Sequence, residues 1–146
     1  MNPLDFLEVG GEWASGLREA KWRSAVSRAY YAAFHVARDL LRQGGFEVPQ
    51  GDQANRYLWL RLSNAGPPDV RQAGLELGHL RTRRNQADYD VDDDFPHARA
   101  FNYVQVAMSV IQLLQTAAAT PTVLTQMTDA IKIYERDVLK QITWRP

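Results

Sequence analysis

No cysteine occurs in the chain, which removes disulfides, thiolate metal sites and cysteine nucleophiles in one step and fits a reducing compartment. Neither sign of charge is in excess: Lys+Arg and Asp+Glu are both 17. That balance argues against a protein that coats nucleic acid by bulk charge. No apolar run approaches the roughly 18 uninterrupted residues of a membrane span. The opening residues, from Met1 to Glu8, lack the basic start and long apolar run of a signal peptide. A cytoplasmic protein without membrane contact is therefore expected. Histidine is scarce, and His35, His79 and His97 lack the close spacing of a zinc site. The aspartates between Asp88 and Asp94 lack the central glycine and terminal glutamate of a calcium loop. Gly10-Gly11 and Gly44-Gly45 do not build a phosphate loop. No metal and no cofactor is expected.

Strand signals are also nearly absent, since no segment alternates apolar and polar residues between turn residues. Helical periodicity takes their place. With 146 residues and 45% hydrophobic content, the chain suits one all-α domain over 1–146, a bundle of four to six helices. A first helix is expected from Pro3 to Leu17, with Phe6, Leu7 and Trp13 inward. The clearest runs from Lys21 to Gln43, where Trp22, Val26, Ala29, Ala33, Val36, Ala37, Leu40 and Leu41 form one stripe that ends at Gly44-Gly45. Asp52 is placed to cap a helix reaching Asn64, and Asp69 to start another reaching at least Asn85, after a break at Gly66-Pro67-Pro68. Asp92, Asp93 and Asp94 are placed to cap a helix over 96–119. That helix is apolar on two faces, so it is either central or shared with a partner subunit. Residues 121–146 add a last helix with Leu124, Met127, Ile131, Tyr134, Val138 and Ile142 on one stripe.

Two polar sets interrupt this pattern. Leu77, Leu80, Arg84 and Ala87 recur at three and four, which puts Arg84 on an inward stripe. A buried guanidinium keeps its proton and is costly unless paired. Asp88, four residues on, is within reach. Arg84 is therefore held by a structural ion pair or lines a cleft. Asn85 and Tyr89 add polar atoms at the same helix end. On the long helix Ser24, Arg28, Tyr31, His35 and Arg42 form a stripe beside the apolar one. Charge is also uneven along the chain. Lys21, Arg23, Arg28, Arg38 and Arg42 face Asp39 alone, and Arg71, Arg81, Arg83 and Arg84 face Glu76 alone. These are two solvated faces or one basic surface.

Both sets fall in recognisable segments. Ser24-Ala25-Val26-Ser27-Arg28-Ala29-Tyr30-Tyr31-Ala32-Ala33-Phe34-His35, followed by Leu80-Arg81-Thr82-Arg83-Arg84-Asn85-Gln86-Ala87-Asp88-Tyr89-Asp90, resembles the prokaryotic HEPN domain over roughly residues 4 to 118. The resemblance implies a four- or five-helix bundle, usually dimerised, with a polar cleft near the dimer interface. Many HEPN proteins are metal-independent ribonucleases, often toxins paired with a small nucleotidyltransferase. Their motif is an arginine, a polar residue and, a few residues on, a histidine. Arg84 and Asn85 match its first half. The histidine should fall around Tyr89, and none occurs between His79 and His97.

That departure bears on chemistry. Metal-free RNA cleavage needs a group that takes a proton from a 2′-hydroxyl near neutral pH, which histidine suits. Arginine stabilises charge on the phosphate, whereas tyrosine, with an unperturbed pKa near 10, is a poor base. Two functions remain. One is a dimeric module binding RNA, a nucleotide or a partner protein through Arg28, Tyr31, His35, Arg84, Asn85, Asp88 and Tyr89. The other is a divergent ribonuclease toxin, paired with a minimal nucleotidyltransferase, that uses Arg84 with Asp88, Tyr89 or His35. The missing histidine favours the first.

Overall fold

The computed structural model describes residues 2–14 and 19–145, and the side chains of residues 9, 10 and 12–14 are outside that description. The inward position expected for Trp13, and a first helix continuing through residues 15–17, lie outside the described residues. Among the described residues the elements are α1 (Pro3–Ala14), α2 (Glu19–Gln43), α3 (Gln53–Leu62), α4 (Pro68–Tyr89), α5 (His97–Ala119) and α6 (Pro121–Tyr134). A π-helical turn, Glu135–Leu139, continues α6. The one β feature among them is an isolated antiparallel bridge between Phe46 and Trp144. The all-α bundle expected from the sequence is present. No single helix among the described residues is long and apolar enough to cross a membrane.

Helix α2 organises the core. Its inward stripe is built largely from alanine, with Ala25, Ala29, Ala32, Ala33 and Ala37 all buried. Side chains this short let neighbouring helices approach closely, and α1, α4 and α5 all pack against α2. Leu40 and Leu41 then fill the end nearer the loop. Helix α5 touches α1, α2, α4 and α6, so its two apolar faces are covered largely within the chain. Within the chain α5 is therefore central.

The α3–α4 corner depends on two glycines. Gly66 sits at φ +93°, a left-handed conformation that L side chains adopt with strain, and Pro68 then opens α4 with the fixed φ a first turn needs. At Gly74 a Cβ would lie 2.4 Å from the Ser63 amide nitrogen. Backbone therefore packs on backbone there.

Three expectations need correction. Asp52 precedes α3 but makes no side-chain cap bond. Pro96, not an aspartate, stands at the start of α5, again without a side-chain cap bond. The loop before α5 is held instead by Arg23. Its Nη1 donates to the carbonyls of Gln86, Ala87 and Asp90 at 3.3, 3.1 and 3.1 Å, and Nη2 donates to the Asp93 carbonyl. These carbonyls belong to the last turn of α4 and the loop beyond it, and one buried guanidinium ties them together, although those of Gln86 and Asp90 also accept the Asp90 and Asp93 amides. Arg23 is thus withdrawn from the basic surface considered for residues 21–42.

The third correction concerns the last helix. Met127 and Ile131 are buried, but Val138 and Ile142 are exposed. The wider π turn at 135–139 breaks the 3.6-residue period, and Lys140 at φ +56° ends the helix. What the turn brings inward is Glu135, fully buried and ion-paired to Arg61 of α3 at 2.7 Å. Glu135 also accepts from the Thr143 amide at 3.0 Å and the Thr143 hydroxyl at 2.6 Å. Tyr57 lies under the Arg61 guanidinium, 3.6 Å from carbon to ring centroid.

Candidate functional site

Arg84 lies where α4 faces α2, one turn before the helix ends. Its side chain is 21% exposed, and Nε stands 2.9 Å from Asp88 Oδ2. The N–H is not aligned along that contact, so attraction of opposite charges rather than a hydrogen bond holds the pair. The spacing of four on one helix face brings the two side chains together. Nη1 donates to Asn85 Oδ1 at 3.1 Å and Nη2 to the Tyr31 hydroxyl at 2.8 Å. The guanidinium also lies 5.2 Å from the Tyr31 ring centroid and 5.8 Å from that of Tyr89. Ser27 completes the group, donating to Asp88 Oδ2 at 3.3 Å.

Tyr31 links this cluster to the rest of the α2 stripe. Its ring lies 6.5 Å from His35 and 6.4 Å from Phe6 of α1. Phe6 stacks on His35 at 5.3 Å, and the Arg28 guanidinium carbon is 5.7 Å from the Phe6 centroid. Arg28, Tyr31 and His35 are therefore gathered around Phe6, while Tyr31 alone bonds Arg84. Arg28 is exposed, and Tyr89 is 69% exposed at the end of α4.

Burial, then the charges of Arg38 and Arg42, push the His35 imidazole below its usual range, with Asp39 opposing them. The ring is therefore neutral at neutral pH. Its Nδ1 is buried and has no hydrogen-bond partner among the described residues. Tyr30, beside Tyr31, is different. Burial raises its phenol to about 12, against the opposing hydrogen bond from Asn55 and the charges of Arg81 and Arg84. It stays protonated and is no base. Among the described residues no group of acidic, histidine or cysteine side chains is placed to hold a metal ion.

All seven residues singled out from the sequence thus fall on one stretch of surface, where α1, α2 and the end of α4 meet. Phe6, Ser27 and Arg23 escaped that reading. Phe6 was placed inward by its helical spacing but not assigned to this surface. Ser27 lies inside the first recognised segment and differs from its neighbours only in reaching Asp88. Arg23 sits in a basic run and pairs locally with Glu19, and nothing local reveals that its carbonyl partners lie more than sixty residues away. Chemically the arrangement offers a held but incompletely occupied guanidinium, an exposed second arginine, a neutral imidazole and an exposed phenol.

A family model described as the HEPN domain matches residues 14–117. The match contains both recognised segments and stops within α5, leaving α6 and the π turn outside it. No curated protein and no solved structure matches the chain.

Proposed function

The chain belongs to the HEPN domain family, and from that premise we propose that it is a homodimeric module that binds RNA through phosphate contacts without cutting it. The observation that carries this reading is the state of Arg84. Its guanidinium has five N–H donors, and two make hydrogen bonds, to Asn85 and Tyr31. Donors remain for a phosphate oxygen, and Asp88, Asn85 and Tyr31 fix the fork so that little freedom is lost on binding. Where the resemblance calls for a histidine, Tyr89 stands instead, and a phenol is a poorer proton acceptor than an imidazole.

Arg28 supports the same reading as an exposed cation on the same surface, and the exposed ring of Tyr89 offers a face on which a base stacks. The dimer is supported by Tyr89, Val91 and Phe101, which are 69, 67 and 53% exposed at the junction of α4 and α5. Pairing with a minimal nucleotidyltransferase and residence in the cytoplasm belong to the same proposal. A divergent ribonuclease toxin is the second reading, and the neutral imidazole of His35 is what favours it. Against it, His35 stacks on Phe6, with Tyr31 the described bridge from its ring to Arg84.

Fluorescence anisotropy with a labelled single-stranded RNA tests the binding. Arg84→Ala and Arg28→Ala should each weaken it about tenfold or more. Each should also reduce the slope of log K against log salt by about 0.7 per lost phosphate contact. Full-strength binding by both variants with unchanged slopes would remove this surface from the account.

A further inference from the structure

A second cavity lies away from the Arg84 cluster, between α3, the loop before it and the segment after the π turn, with a volume of about 590 Å³. We propose that it is a binding site for a phosphorylated, hydroxylated small molecule, a sugar phosphate with or without a base attached. This inference does not rest on the RNA-binding reading. One wall, made by Leu139, Gln141 and Thr143, lies beyond residues 14–117 matched by the family model. Glu135 helps to pin that segment against α3, together with the Phe46–Trp144 bridge and the Glu47 amide bond to the Thr143 carbonyl.

Three guanidiniums line it: Arg56 and Arg61 of α3 and Arg81 of α4. Arg56 and Arg81 make no ion pair among the described residues, whereas the other charged groups at the cavity are engaged or acidic. Arg61 is the built component. Its side chain is only 3% exposed, its Nε is bound to Glu135, and Tyr57 fixes the plane of the fork. Its Nη2 is buried with no hydrogen-bond partner. The Glu135 carboxylate accepts from Arg61 Nε and from the Thr143 amide and hydroxyl. Arg61 therefore sets a fixed positive charge behind the cavity wall, and a phosphate is the group that the accessible Arg56 and Arg81 forks suit best.

The rest of the lining says what the phosphate is attached to. Glu47 and Asp52 also border the cavity. Carboxylates would repel a bare anion, but they accept hydrogen bonds from the hydroxyls of a sugar, as acidic residues do in dinucleotide sites. Pro49 and Leu60 add apolar surface for a carbon skeleton. The volume is that of an ordinary small-molecule site. A ligand with a phosphate at one end and hydroxyls at the other satisfies both charge signs, whereas inorganic phosphate satisfies one.

Isothermal titration calorimetry of the full chain with ribose 5-phosphate, inorganic phosphate and ribose tests this. Ribose 5-phosphate should bind, more tightly than inorganic phosphate, and ribose should not. Arg56→Ala and Arg81→Ala should each weaken binding about tenfold or more, with helicity by circular dichroism unchanged, and Arg84→Ala should leave it unaltered. Arg56 is exposed, so its replacement leaves the fold intact as a reference. No binding of ribose 5-phosphate overturns the proposal, as do equal affinity for inorganic phosphate, binding indifferent to both variants, and binding lost in Arg84→Ala but kept in the other two. RNA binding by the same preparations reports separately on the Arg84 surface.

Discussion

His35 shows how one side chain couples this surface to the solvent. Burial holds its imidazole below the usual 6.5, so the unfolded chain binds that proton more tightly than the folded one. The contribution of His35 is thus fully present above the unfolded pKa and is lost as pH falls through the lower folded value. Melting temperature should drop as pH falls below the ordinary imidazole value of 6.5, and His35→Gln should show a smaller drop over the same range. An equal drop in both proteins would remove His35 as a contributor. How much was legible at this scale depended on where the partner lies. Arg84 and Asp88 are four residues apart, so their pair could be read from spacing on one helix. Arg61 falls at three and four from Leu58 and Tyr57 on the inward stripe of α3, but Glu135 is 74 residues away, so that partner could not be read from spacing. The distant contacts of Arg23 were hidden in the same way, since they are backbone carbonyls, which leave no trace in sequence, whereas its pair with Glu19 is four residues away on the same helix.

Between elements, the deciding contact is that buried pair. It joins α3, inside the stretch matched by the family model, to the π turn outside it. A buried ion pair loses most of its worth when one partner is removed, because the other charge is left without compensation. Glu135→Ala should therefore lower the free energy of unfolding by about 3–5 kcal/mol, measured by urea denaturation. It should also expose the Trp144 region, seen as a shift in tryptophan emission. A loss below about 1 kcal/mol, the range of a surface pair, would mean that the segment after α6 is not held through Glu135. The helices themselves were legible because α2, α4 and α5 carry long apolar stripes. The end of α6 was not, because a π turn shifts the register at Glu135, so that Val138 and Ile142 leave the stripe a straight helix would have kept. The caps misled for a related reason. Asp52 has the right residue type at the right place but makes no cap bond, while Asp92 to Asp94 lie short of the helix start at Pro96, in a loop that Arg23 organises through backbone acceptors.

Across the whole molecule, the bundle buries the apolar faces of α2 and α5 almost entirely and leaves aromatic and aliphatic side chains exposed where α4 meets α5. The proposed dimer uses that junction. Sedimentation equilibrium at micromolar concentration should give twice the mass of the chain, and Phe101→Glu should shift the distribution toward the single chain. A single-chain mass for the unaltered protein would contradict the dimer. The account turns, however, on what Tyr89 does in place of a histidine. The most direct measurement is denaturing electrophoresis of an end-labelled single-stranded RNA after incubation with saturating protein at neutral pH without metal. The RNA should remain full length while the same mixture shows a bound complex. Fragments that form with the unaltered chain and disappear with Arg84→Ala would contradict the account and establish a ribonuclease that works without the usual base.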